Sequence, residues 1–258
     1  MTTQHGRLEW LIKYLLSEDS RYSGIRLPES ELDRRQLFRS LVNVRPPEPV
    51  SQEFLQIQDA YLTQELMSAG ITDLSSLSPI SPGIYVWQGD ITRLKCDAIV
   101  NAANSALLGC FAPCHACIDN CIHTFAGVQL RLACNDIMQA QGHPEPTGTA
   151  KITPAFNLPC KYVLHTVGPI VSGALTKEHE ELLASSYRSC LRLAEKNGCE
   201  SVAFCCISTG VFHFPNQRAA EIATAEVQNF LRSAVVVKKV IFNVFKDLDR
   251  DIYLRLLK

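Results

Sequence analysis

From Gly83 onward the chain alternates strand-like and helix-like runs, and this alternation constrains its fold more than any other feature. Short apolar runs occur at Ile84–Trp87, Ala98–Asn101, Lys151–Pro154, Tyr162–Thr166, Val202–Ile207 and Val240–Phe245. Helical patterns separate several of them, most clearly Ile118–Gln141, Glu178–Asn197 and Asn216–Ser233. The second carries Leu182, Leu183, Leu191 and Leu193, and Asn197-Gly198 is a good helix stop. Strands alternating with helices predict an α/β layered fold with a largely parallel sheet. Ligands of such sheets sit beyond the carboxyl ends of the strands. The most polar segments, Gly89-Asp90, Asn101-Ala-Ala-Asn104 and Ser208-Thr209-Gly210, each follow a strand, so they can converge on one rim.

Residues 1–75 read differently. Leu8, Leu11, Ile12, Leu15 and Leu16 repeat at helical spacing, as do Leu32, Leu37 and Leu41 before Pro46-Pro47. A third helical pattern runs from about Ser51 to Met67 and stops near Gly70. The expectation is a helical extension (1–75) joined by the Ser/Pro-rich stretch Thr72–Pro82 to the main domain (76–258). Packing alone is its expected role, with covering one edge of the active site as the alternative.

The 258 residues suffice for one sizeable core. A formal charge of −1 argues against a broad nucleic-acid surface or an anionic membrane. Backbone amides can still bind a small anion. No apolar run reaches the roughly 18 residues of a membrane span, and the N-terminus reads as neither signal peptide nor anchor. Eleven cysteines, all between Cys96 and Cys206, form an odd set without an export signal, which predicts reduced thiols and a cytoplasmic protein. Cys205 and Cys206, in an apolar run, read as small core residues.

Cys110-Phe-Ala-Pro-Cys114-His115-Ala-Cys117 packs three thiols and an imidazole into eight residues. Such soft donors suit zinc, and three protein ligands with one open position is the usual catalytic arrangement. Spacing does not choose among the four candidates. Cys114 and Cys117 also fit a redox pair, and inert thiols stay open. A helix beginning near Ile118 would lower the Cys117 pKa in either active role.

Ser208-Thr-Gly-Val-Phe-His-Phe-Pro215 suits a phosphate-binding turn or a plain strand-to-helix loop. Asn101 and Asn104 either hold their loop or bind sugar hydroxyls. Asp90 fits a turn cap or an acceptor for an exocyclic amine. Phe245, judged alone, reads as core before base-stacking platform. His165 reads as a satisfied core residue, His123 as packing and His213 as a second-layer group. His5, His143 and His179 read as surface. Paired glycosidase carboxylates and a Gly-x-Ser-x-Gly elbow are absent from the sequence.

Together, Gln88-Gly-Asp-Ile-Thr-Arg-Leu-Lys-Cys-Asp-Ala-Ile-Val-Asn-Ala-Ala-Asn104, Tyr162-Val-Leu-His-Thr-Val-Gly-Pro169 and Ile207-Ser-Thr-Gly-Val-Phe212 resemble the macrodomain family over about residues 83–250. The resemblance implies a three-layer α/β/α sandwich that binds ADP-ribose in a cleft. Where ordinary members have a glycine-rich stretch, this chain has its Cys/His loop and so resembles the zinc-containing microbial macrodomains, which also carry an N-terminal helical extension. Their Cys-x4-His-x-Cys pattern falls on Cys110, His115 and Cys117, leaving Cys114 outside. Members remove ADP-ribose from a lipoylated carrier protein, reversing a sirtuin-type ADP-ribosyltransferase.

The resemblance places Asp90 at the adenine amine with Ile91 beside it, and Phe245 on the adenine. Asn104, helped by Asn101, would hold the distal ribose as the catalytic pair. The backbone of Cys117, Ile118 and Asp119 would meet the pyrophosphate. Ser208, Thr209, Gly210, Val211 and Phe212 would form the second phosphate loop. His213 stands where many members have glycine. Three rivals are an ADP-ribose reader with structural zinc, an O-acetyl-ADP-ribose deacetylase and a thiol redox protein. The remaining carboxylate of the Cys/His loop region, Asp119, is expected either to cap the helix or to serve as a base.

Overall fold

The computed structural model describes residues 3–258. Three helices open the chain: α1 (Gln4–Ser17), α2 (Glu31–Val44) and α3 (Gln52–Ala69). Thr3, Ser30 and Ser51 cap them, each accepting a first-turn amide on its side-chain oxygen. Leu8, Leu11, Ile12, Phe38, Leu41, Phe54 and Tyr61 close a core of their own, which reaches the rest of the protein at Val128.

A short parallel pair, β1 (Thr72–Asp73) with β3 (Leu94–Lys95), flanks β2 (Ile84–Gln88) in sequence. Then come β4 (Ala98–Ala103), α4 (Ile118–Ala126), α5 (Val128–Gln141), β5 (Ala150–Pro154) and β6 (Tyr162–Val167). The remainder is α6 (Lys177–Lys196), β7 (Ser201–Phe204), α7 (Asn216–Leu231), β8 (Lys239–Val244) and α8 (Asp247–Leu257). The main sheet has the order β2-β8-β7-β4-β6-β5, parallel throughout except for antiparallel β5. Helices flank it, giving the expected three-layer α/β/α sandwich with a helical extension. Central β4 and β7 read as continuous apolar runs because both their faces are covered.

The short β1–β3 pair was not expected, β1 falling in the stretch Thr72–Pro82 read as a linker, and the sequence reading differs from the structure in three larger elements. The helix expected over Ile118–Gln141 is two helices, broken at Gly127 with φ +95°. A Cβ there would come within 2.5 Å of Gln129 Oε1 on α5 and 2.6 Å of Gln58 Nε2 on α3, so glycine is required where the break meets the extension. The strand expected to reach Ile207 ends at Phe204, which frees Cys205–Ser208 to turn into the cleft. Helix α8 was not expected; its Ile252, Tyr253 and Leu257 are buried, and Tyr253 stacks on Phe242 at 4.6 Å between ring centroids. Among the described residues no helix is long and apolar enough to cross a membrane.

Candidate active site

The parallel strands end on one edge, and the polar segments meet there. Asp90 follows β2, Phe245 follows β8, the 205–214 turn follows β7, Asn104 follows β4 and Gly168 follows β6. From β2 to β4 is three interstrand steps, about 14 Å at about 4.8 Å each. That span suits an elongated ligand better than a compact one.

Within the loop between β4 and α4, Cys110 Sγ, His115 and Cys117 offer donor atoms that all lie within 4.8 Å of one another. Cys110 Sγ is 3.7 Å from His115 Nδ1. Cys114 is not in this group: its Sγ faces α2, 3.2 Å from Ser40 Oγ and 3.5 Å from Gln36 O. Cys117 is the N-cap of α4, its sulfur accepting Asn120 N at 3.4 Å. Here the expected lowering of its pKa fails. Burial, with the adjoining Cys110 thiol, pushes Cys117 up to about 12 despite the Asn120 amide. Two neighbouring thiols without a cation resist ionisation, whereas a divalent ion favours it. The donor set of two thiols and an imidazole, partly open to solvent, therefore fits zinc.

Beneath this loop lies a carboxylate hub. Asp119 is 5% exposed and does not cap α4. Its Oδ1 accepts Asn101 Nδ2 at 2.8 Å and its Oδ2 accepts Asn104 Nδ2 at 3.4 Å. Burial raises its pKa to about 6, against the opposing effects of Asn101 and Arg131. Asn104 Nδ2 also donates to Gly109 O, and Asn104 Oδ1 accepts Ala106 N, so this side chain shapes the start of the Cys/His loop. Asn101 is fully buried, its Nδ2 shared between Asp119 and His165.

The turn after β7 has two left-handed residues, Ser208 (φ +64°) and His213 (φ +57°). Both conformations favour glycine, so Ser208 and His213 carry backbone strain in this turn. Ser208 Oγ is buried without a partner, and a Cβ on Gly168 would meet it at 2.1 Å. Only glycine lets β6 approach the turn this closely. Val211 is 62% exposed and Phe245 81% exposed, both at the cleft rim. Phe245 therefore lies outside the core expected from its strand pattern, because β8 ends at Val244 and the next residue runs off the sheet edge. Asp90 caps a 3-10 turn (Ile91–Arg93) through Oδ1, which takes both Thr92 N and Thr92 Oγ1; Ile91 is buried.

A second set of metal-type donors, His123, Cys134 and His165, is wholly buried. His165 is satisfied as expected: Nδ1 lies 3.2 Å from Asn101 Nδ2 and Nε2 lies 3.0 Å from Thr153 Oγ1. His123 packs under Gly109, whose Cβ would meet the ring at 2.9 Å, and both its nitrogens lack hydrogen-bond partners. These residue types could hold a metal, but His165 would first have to release both its partners. A surface groove lies in the extension, by Leu15, Tyr22 and Pro46. Its buried cation Arg45 is already saturated by Glu18 and the carbonyls of Pro46, Glu48 and Pro49.

Several site residues carried no sequence signal. Asn120 Nδ2 donates to Cys110 O and Ala112 O, holding the loop from inside. Arg39 and Asn43 of α2 hold it from outside, and Arg131 of α5 donates to Leu108 O while its guanidinium lies 4.4 Å over the Phe111 ring. Only the Cys117–Asn120 spacing at a helix start could have marked any of them.

The sandwich, with its polar segments along the carboxyl edge of the parallel strands, is that of a macrodomain, and residues 100–223 match the family described as Macro domain. The chain is 60% identical over 259 residues to the "Protein-ADP-ribose hydrolase" of Treponema medium, with 99% of each chain covered. It is 50% identical over 255 residues to the protein of the same name from Staphylococcus aureus (strain MSSA476), covering 98% of this chain and 96% of that one. The Trypanosoma brucei macrodomain in complex with ADP-ribose superposes with a TM-score of 0.66 at 30% identity, covering 90% of this chain and 97% of that one. The chain belongs to the macrodomain protein-ADP-ribose hydrolase family.

Proposed function

We propose that this chain is a zinc-dependent hydrolase that removes mono-ADP-ribose from a modified protein, the lipoylated carrier that its resemblance to zinc-containing macrodomains implies. The observation that carries it is the convergence of Cys110, His115 and Cys117 on the loop joining Asn104 to the N-terminus of α4. The ADP-ribose would lie along the rim, adenine between Asp90, Ile91 and Phe245, distal ribose at Asn104. Amides of Ile118 and Asp119, at the first turn of α4, have no intrahelical acceptor and suit one phosphate. The turn of Ser208, Thr209, Gly210, Val211 and Phe212 suits the other, with the unpartnered Ser208 hydroxyl beneath it.

Zinc held by the two cysteines and His115 would supply Lewis-acid stabilisation of an oxygen at the distal ribose or the scissile linkage, worth several kcal/mol. The protein's own part is orientation. Asn104 positions the ribose, and Asp119 with Asn101 fixes Asn104. The two phosphates are held by backbone amides, which is why a net charge of −1 is no obstacle.

The test is Cys117→Ala, with zinc content and release of ADP-ribose from a modified carrier protein measured together. Loss of metal with loss of release is expected; full release by the metal-free variant refutes the zinc reading. Turnover of O-acetyl-ADP-ribose alone, or ADP-ribose binding with no turnover, refutes the protein-hydrolase reading.

A further inference from the structure

We infer that α2 of the helical extension is a splint for the metal loop, with Arg39 and Asn43 as positioning residues that set how tightly Cys110, His115 and Cys117 hold their ion. This rests on the zinc reading proposed above. The loop has little structure of its own: one backbone bond, His115 N to Ala112 O, closes a turn within it. The rest of its support comes from elsewhere.

Arg39 Nη2 donates to His115 O at 2.9 Å and to Asn120 Oδ1 at 2.9 Å. The first bond fixes the backbone of a ligand. The second orients Asn120, whose amide nitrogen in turn binds Cys110 O and Ala112 O and whose backbone N–H meets Cys117 Sγ. One guanidinium thus reaches all three donor residues, directly or through Asn120. Asn43, 1% exposed, accepts Cys114 N on Oδ1 at 2.9 Å and donates to Thr124 Oγ1 on α4 at 2.9 Å. Cys114 is left-handed, φ +53°, a strained conformation for a non-glycine residue. Such strain persists only where its surroundings fix it, and Asn43, Ser40 and Gln36 do so. Cys114 is the hook by which the loop hangs on α2, and the turn it makes brings His115 back towards Cys110.

Residues that orient metal ligands typically govern metal affinity by about 10–100-fold. The experiment compares full-length wild type, Arg39→Met, Asn43→Ser and, as a control on the same helix, Arg35→Met. Arg35 pairs with Glu31 and Glu65 and does not touch the loop. Zinc affinity is read by competition with a chromogenic chelator, and site geometry by the visible spectrum of the cobalt(II)-substituted protein. Circular dichroism establishes that each variant is folded.

Arg39→Met and Asn43→Ser are expected to bind zinc at least about 10-fold more weakly with altered cobalt bands, and Arg35→Met to match wild type. Folded Arg39→Met and Asn43→Ser with wild-type affinity and cobalt spectrum would overturn the splint. If Arg39→Met does not fold, Arg39→Lys, whose ammonium cannot serve both acceptors in the same geometry, takes its place under the same criteria. Failure of wild type itself to bind one zinc would instead sink the zinc reading, so the two failures are distinct.

Discussion

Replacing Asp119 by Asn should make the fold more stable at neutral pH and the enzyme worse. Burial raises the folded pKa of Asp119 from 3.8 to about 6. The folded state therefore keeps this proton longer than the unfolded chain does. The stability tied to that proton is whole below about pH 3.8 and is lost as pH rises through about 6. The gap of 6 − 3.8 corresponds to about 3 kcal/mol at about 1.4 kcal/mol per pH unit. Asn is nearly isosteric and carries no charge, so it avoids this loss. It gives back about 1 kcal/mol, because its amide nitrogen cannot accept from both Asn101 and Asn104 as the carboxylate does. The net expectation is about 2 kcal/mol of added stability at pH 7.5, falling through zero and turning slightly negative near pH 4. Urea unfolding of chelator-treated protein at both pH values measures it, with ADP-ribose release assayed in parallel on the zinc-loaded protein. A variant less stable than wild type at pH 7.5, or a stability difference independent of pH, would refute the reasoning. Unchanged activity would show that Asn104 does not need the carboxylate.

Three further outcomes follow from single contacts. Phe245→Ala removes an exposed ring, so stability should hold within about 0.5 kcal/mol while ADP-ribose affinity, by calorimetry, falls about 5–150-fold for a lost stacking of about 1–3 kcal/mol. Gly168→Ala drives a methyl into Ser208 Oγ, 2.1 Å away in the ideal position, and should weaken ADP-ribose binding by at least about 10-fold, an effect of about 1.4 kcal/mol. Arg131→Met leaves the carbonyls of Leu108, Val42 and Arg45 without their shared buried donor and should cost about 3 kcal/mol or more in urea unfolding.

What the chain announces locally, it announces well. The strands were legible because apolar runs such as Ala98–Val100 are buried on both faces. Asn197-Gly198 marked the end of α6 because Gly198 adopts the left-handed turn, φ +73°, that such a stop requires. The break at Gly127 was invisible because a lone glycine is tolerated inside a helical pattern, and one of the side chains packed against it, Gln58, lies 69 residues away. Helix α8 hid behind a short, charged terminus whose apolar residues gain meaning only against β2 and β8. The Cys/His cluster was visible in the loop itself as four candidate donors within eight positions, but spacing did not choose among them; Cys110, His115 and Cys117 followed only from the family resemblance. Arg39 and Asn43 were not visible, because their bonds to the loop bridge 71 to 76 residues and α2 shows only an ordinary polar face.

The extension and the Cys/His loop belong together for a thermodynamic reason. Ordering eight loop residues costs on the order of 10 kcal/mol of backbone entropy. An ion that had to meet this cost alone would lose much of its intrinsic affinity. In this chain α2, Asn120 and Arg131 would meet part of it, through bonds to Cys114 N and the carbonyls of His115, Cys110, Ala112 and Leu108. The loop should therefore not be portable. Residues 109–119 grafted into a macrodomain without the extension should bind zinc at least about 100-fold more weakly than in this chain, a loss of about 3 kcal/mol. The same graft carrying α1–α3 and Asn120 should recover most of that. Chelator competition on the two grafts decides between a loop that folds around its metal and one that is folded for it. Equal affinities would show that the ion, not α2, orders the loop.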